Sequence, residues 1–282
     1  MSGRRAAAGA GGPGAFFARL AAFLKRDFRE AATYKFSFLQ SFTGILLSTA
    51  TFFFVAKLVP PGAASLRPFG GDYFSFAVVG VAFASLLGVF QEGLASVIRG
   101  AQVAGTLEAL LVTQTSVPTV LFGSSLYSLF FQSFRTGLHL VLAVAVFGMK
   151  LGRVNVAGAV VVFALTALCF LCLGVLSASF TLVYKLGNPL GWLFGGLSGL
   201  LGGMLFPVAV LPSWIRWASS LLPVTYSLDG MRRSLLASAG FSDIWPDIVA
   251  LLAFNAVLLP LGGFAFRAAV RKAKKDGTLT HY

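Results

Sequence analysis

The chain is written in long apolar blocks separated by short polar breaks, with charge gathered at its two ends. Residues 119–147 carry only a few polar positions, and 156–184 contain no charged residue at all. A bilayer core about 30 Å thick needs about 20 consecutive apolar residues per helix, so both blocks are long enough to cross one. The same pattern predicts further spans over 36–57, 73–95, 190–206 and 248–266, giving six in all. The fifth of these is short and holds six glycines, which predicts close packing against another helix.

Ahead of the spans, Phe16, Phe17, Leu20, Phe23, Leu24 and Phe28 recur at helical spacing. Arg19, Lys25, Arg26, Asp27, Arg29 and Glu30 fill the opposite side, too charged to cross but suited to the membrane interface. Residues 16–35 are therefore expected to form an amphipathic interface helix. Residues 1–15, rich in Gly and Ala and lacking the apolar core of a signal peptide, are expected to be a disordered cytosolic tail. The transmembrane domain then occupies 36–266, and 267–282 form a basic cytosolic tail. The fold class is all-α membrane protein.

Composition agrees, at 57% hydrophobic and 11% charged residues. A net charge of +13 is of the kind that nucleic-acid binders carry, but the basic residues lie beside spans, where the positive-inside rule and anionic lipid place them. With six spans and both termini cytosolic, 14 of the 22 Lys and Arg residues fall inside. This topology leaves Arg216, Arg232 and Arg233 outside. Cys169 and Cys172 lie within an apolar run, where thiols stay neutral, and are expected to pack rather than react.

Several chemistries lack the motifs that would carry them. No GxxxxGK[ST] loop is present to cradle phosphates, and neither HExxH nor GxSxG occurs. No catalytic residue, metal ligand or bound cofactor is expected of this chain, which leaves transport as the main class.

Within the third span, Arg135 is an isolated cation, costing about 2.5–3.5 kcal/mol on insertion scales. Gln132 and His139 lie three before and four after it, on the same helix face. That stripe either lines a translocation path or forms a structural hydrogen-bond cluster. Between spans two and three, Thr106 can cap a short helix, with Glu108 in its first turn. Further on, Pro207, Pro212 and Pro223 prevent one continuous helix. Trp214, Trp217, Tyr226 and Trp245 suit an interface, and short helices that dip into the membrane and return would explain this pattern. Arg232 and Arg233 then either meet headgroups or an anionic substrate, or serve as interfacial anchors.

Two stretches carry a family resemblance. One runs Gly105-Thr106-Leu107-Glu108-Ala109-Leu110-Leu111-Val112-Thr113, followed by Gln114 where the pattern usually has proline. The other combines Phe206-Pro207, Leu211-Pro212-Ser213-Trp214, Leu221-Leu222-Pro223-Val224-Thr225-Tyr226 and Met231-Arg232-Arg233. Together, in this order, they resemble the permease subunits of ABC-2 type exporters, over about residues 16–270. The resemblance implies re-entrant helices between spans five and six. It also implies an ATPase-coupling helix drawing on Arg99, Thr106, Leu107, Glu108, Leu110 and Leu111. ATP and magnesium would be handled by a separate nucleotide-binding subunit. The permease would sit in the plasma (inner) membrane among lipids as a homodimer or with a paralogue, exporting a drug, lipid or lipid-linked glycan. A secondary transporter or channel is the rival from another class, and a membrane-embedded enzyme is the third. Such transporters usually carry midplane charges in several spans and repeated halves, which this sequence lacks.

Overall fold

A computed structural model describes residues 35–60, 62–105, 117–184 and 188–275. Helices dominate, and no strand occurs among the described residues. That is what lipid demands, because every backbone donor and acceptor must be satisfied within its own segment. The interface helix expected over 16–35 lies outside the described residues apart from Lys35.

The long helices are α1 (Lys35–Ala56), α2 (Tyr73–Val103), α3 (Val117–Ala145) and α4 (Val156–Tyr184). A shorter α5 (Pro189–Leu201) follows, then α6 (Ser213–Ser220), α7 (Pro223–Leu236) and the 35-residue α8 (Phe241–Lys275). Short 3-10 helices occupy Ala64–Phe69 and Val208–Val210. Among the described residues, five helices are long and apolar enough to cross a membrane: α1, α2, α3, α4 and α8. The expected fifth span is α5, whose 13 residues reach about 20 Å at 1.5 Å per residue. Hydropathy alone had extended it through 206, but the helix stops at Gly202, and Gly203 turns the chain at a φ of +74°.

Caps mark several boundaries. The Asp72 carboxylate accepts from the Ser75 backbone N–H at 2.9 Å and starts α2. Asn188 does the same for α5, accepting from the Gly191 N–H at 2.8 Å. Pro189 takes the first helical position, where its missing donor is not needed.

Helix α4 is the axis of the bundle, packed most extensively on α8 and α2 and next on α7. Side chains fill the bundle in three layers. Near one end, Phe74, Val78, Met149, Val162, Met231 and Ile244 meet. In the middle, Leu86, Phe90, Phe170, Leu173 and Leu228 interlock, with Cys169 and Cys172 buried among the α4 residues as free thiols. At the other end, Leu94, Ile98, Ala178, Leu182, Ala269 and Ala273 close the stack. Helix–helix approach within lipid relies on tight packing and hydrogen bonds, and both recur here. A methyl added to Gly174 of α4 would stand 2.7 Å from the Phe90 carbonyl oxygen of α2. Gln102 Nε2 of α2 donates to the Thr181 carbonyl of α4 at 3.1 Å, and Asn255 Nδ2 of α8 donates to that of Leu165 at 2.9 Å.

The glycines of α5 behave differently from the expectation of close packing. Among the described residues, no atom lies within 4 Å of where a Cβ would stand on Gly195, Gly196 or Gly199, while Gly202, just past the helix end, presses on Val224 of α7.

Candidate functional site

Three connections converge at one end of the bundle. The Gly152 N–H donates to the Leu235 carbonyl at 3.1 Å, and the Asn155 N–H to that of Ser234 at 2.9 Å. Asn155 Nδ2 donates to the Ala239 carbonyl at 3.1 Å, and the Arg153 N–H to Ser238 Oγ at 2.6 Å. Gly70, ending the first connection, lies against the Leu236 carbonyl. The links after α1, α3 and α7 thus share one face.

Arg232 locks this region, and it does so from inside. Its side chain has no exposed surface. Nη1 donates to the Gly203 carbonyl at 2.7 Å, Nη2 to that of Met204 at 2.7 Å, and Nε to that of Phe76 at 3.2 Å. One fork therefore joins α7, α2 and the chain leaving α5. Burial draws the guanidinium down to about 9, against the opposing effects of Asp229 and Tyr73, so it stays charged at neutral pH. Burial also raises the Asp229 carboxyl, opposed by Arg232 and Arg233. The expected headgroup or anchoring role at the interface does not fit this position for Arg232. Arg233 is partly exposed, donating to the Asp243 carbonyl at 3.1 Å, with Asp247 Oδ2 3.4 Å away.

The aromatic residues divide by depth. Trp214, Trp217 and Trp245 are exposed, as is Trp192 of α5, whose place the sequence reading passed over. Tyr226 is half-buried, its hydroxyl donating to the Ser220 carbonyl at 3.2 Å and its ring 6.0 Å from that of Phe254. Pro207 and Pro223 are buried while Pro212 is exposed.

Gln132, Arg135 and His139 come together as their spacing predicts, on the wall of a cavity of about 250 Å³ between α1, α2 and α3. Ser48, Ser85 and Thr136 complete its polar lining, and Gly44 lies on the α1 wall. Thr136 Oγ1 donates to the Ala82 carbonyl at 3.2 Å and fixes α3 on α2. His139 is buried, and neither its Nε2 nor Arg135 Nε has a hydrogen-bond partner among the described residues. Glu92, exposed on α2, is not among the residues lining the cavity.

The coupling candidates Thr106, Leu107, Glu108, Leu110 and Leu111 lie outside the described residues. Arg99 is half-buried near the end of α2. The helix does not stop at residue 95 as hydropathy suggests. It continues to Val103 because Ile98 and Ala101 pack on α4 and α8.

Among the described residues, no group of three His, Cys, Asp or Glu side chains is placed to hold a metal ion. Comparison with curated proteins finds no match. A family model for the ABC-2 type transporter matches residues 15–236, from before α1 to the end of α7. With its apolar spans and this match, the chain belongs to the ABC-2 type transporter family.

Proposed function

We propose that this chain is the permease subunit of an ATP-driven exporter for a large amphiphile: a drug, a lipid or a lipid-linked glycan. The family match over 15–236 carries the reading. A separate ATPase subunit would bind ATP and magnesium, since the sequence contains no phosphate-cradling loop. The permease would work as a homodimer or beside a paralogue in the plasma (inner) membrane, with both termini cytosolic. Helices α6 and α7 would be re-entrant, and α5 would complete the sixth crossing with the chain that follows it.

The geometry supports a mechanical link at the far end of α2. Its 31 residues measure about 46 Å, against a hydrocarbon core of about 30 Å. The extra length is helical as far as Val103, two residues of turn before the segment Thr106–Leu111 in the sequence. A force applied there would reach the bundle through a rod rather than a slack loop. Gln132, Arg135 and His139 would belong to the translocation path. The unpartnered nitrogens support this over a self-satisfied structural cluster.

The test is to isolate the tagged chain from its native membrane under mild detergent. An ABC-type ATPase should co-purify, and the complex should hydrolyse ATP while the permease alone does not. Intrinsic hydrolysis by the isolated chain, or transport that continues with no ATPase present, would overturn the proposal.

A further inference from the structure

We infer that the cavity between α1, α2 and α3 binds the anionic headgroup, a phosphate or carboxylate, of the amphiphile that the permease handles. This rests on the exporter reading and adds the chemical class of its ligand. Arg135 sits at the middle of the apolar window Ser128–Ala145 of α3, about 15 Å along the helix from Ala145 at 1.5 Å per residue. It is the only charged residue among the described residues lining the cavity, and no carboxylate lies there to neutralise it. A cation at that depth is tolerated where it faces a cavity or meets a partner, and here the cavity is present without the partner.

The donors within the site are also free to act. His139 is 6% exposed, and among the described residues neither its Nε2 nor Arg135 Nε has a hydrogen-bond partner. The hydroxyls of Ser85 and Thr136 already donate to the carbonyls of Val81 and Ala82. Donors left for a ligand include the guanidinium and imidazole, with the Gln132 amide and the Ser48 hydroxyl beside them in the lining. Guanidinium groups suit phosphate and carboxylate through charge-assisted, directional hydrogen bonds. A cationic ligand would be repelled, and a neutral sugar would leave the charge uncompensated. The volume of about 250 Å³ takes a headgroup and the start of a chain, not a whole amphiphile. Gly44 on the α1 wall has open space beside it, and α1 packs only lightly on α3. A tail would leave between those two helices toward lipid.

Binding to the purified full chain in dodecyl maltoside tests this, with native mass spectrometry or calorimetry as readout. The probes are dodecyl phosphate, zwitterionic dodecyl phosphocholine and inorganic phosphate. Dodecyl phosphate should bind at least tenfold more tightly than dodecyl phosphocholine, and a large excess of inorganic phosphate should not displace it. Arg135→Gln should abolish the preference, and His139→Gln should weaken dodecyl phosphate binding severalfold. If Arg135→Gln does not fold, Arg135→Lys should keep the preference at reduced affinity. Equal binding of the two detergents, a preference unchanged in Arg135→Gln, or, where that variant does not fold, a dodecyl phosphate affinity unchanged in both His139→Gln and Arg135→Lys, overturns the inference. Displacement by inorganic phosphate at equal concentration overturns the amphiphile assignment in favour of a free-anion site. None of these results touches co-purification of the ATPase, so the exporter reading stands or falls separately.

Discussion

The guanidinium carbon of Arg232 stands 3.4 Å from the centre of the Phe76 ring, and Nε of the same side chain donates to the Phe76 backbone carbonyl. One residue of α2 thus supplies both a π face and an acceptor to a cation of α7. Cation–π contact adds about 2 kcal/mol when desolvated, and the carbonyls of Gly203 and Met204 complete the charge-assisted set.

Removing that side chain should be among the most damaging single changes in the protein. Arg232→Ala leaves three buried carbonyls without their donor, at about 1–3 kcal/mol each, so a loss of more than about 3 kcal/mol is expected. Arg232→Lys keeps the charge but not the fork, and should recover only part of it. Thermal unfolding in detergent measures both. A fall no larger than that of an exposed control such as Arg216→Ala would show that the clamp does not stabilise the fold.

Gly80 admits the clamp. A methyl there would overlap the Met204 carbonyl oxygen and Arg232 Nη2. Gly80→Ala should therefore cost about 1–3 kcal/mol through overpacking. Gly137→Ala, on an exposed part of α3 with open space around it, should change stability little. Equal unfolding temperatures for the two variants would show that the close approach at Gly80 has no energetic weight.

Asn255 offers a milder case. Its Nδ2 joins α8 to the Leu165 carbonyl of α4, while its Oδ1 is buried without a partner among the described residues. Interhelical hydrogen bonds in membrane proteins average about 0.6 kcal/mol and reach about 1.7. Asn255→Leu removes the bond but also relieves the orphaned oxygen. Its loss should stay under about 2 kcal/mol, clearly less than that of Arg232→Ala, and a larger loss in the same unfolding assay contradicts this ranking.

For coupling, Glu108→Lys is the informative change. On the coupling helix expected from the sequence, reversing an acid in the first turn would cost about 0.3–1 kcal/mol against the helix dipole, which the bundle can absorb. The variant should insert and fold normally, bind its ATPase weakly and fail to link hydrolysis to export. Intact association and export in a reconstituted system would reduce Glu108 to a helix-capping acid.

Sequence reading located spans where charge or turn residues stand at both edges. Helix α4 runs Val156–Tyr184 as expected, because Asn155 and Lys185 bracket an uncharged run. It failed where a helix outlasts the bilayer. Helix α2 continues past residue 95 and α8 covers Phe241–Lys275 rather than 248–266, since hydropathy measures lipid exposure and not helix length. The first part of the expected basic tail is therefore helical. The shared face of Gln132, Arg135 and His139 was legible from helical spacing; the α1 and α2 walls opposite it were not, because they depend on how distant segments pack. The Arg232 clamp was illegible for a different reason. Its acceptors are backbone carbonyls, which every residue carries, so no side chain advertises them.

The clamp also dictates an order of assembly. Phe76 and Arg232 are 156 residues apart in the chain, and the Gly203 carbonyl lies 29 before Arg232. Long-range contacts form only after the intervening chain is available and its loop-closure entropy has been met. During synthesis, α2 enters the membrane long before residue 232 exists, with the Phe76 carbonyl still waiting for its guanidinium donor. The bundle reaches its final register only when the last quarter of the polypeptide arrives, which makes a nascent chain cut short before residue 232 an open, unlatched form of the protein.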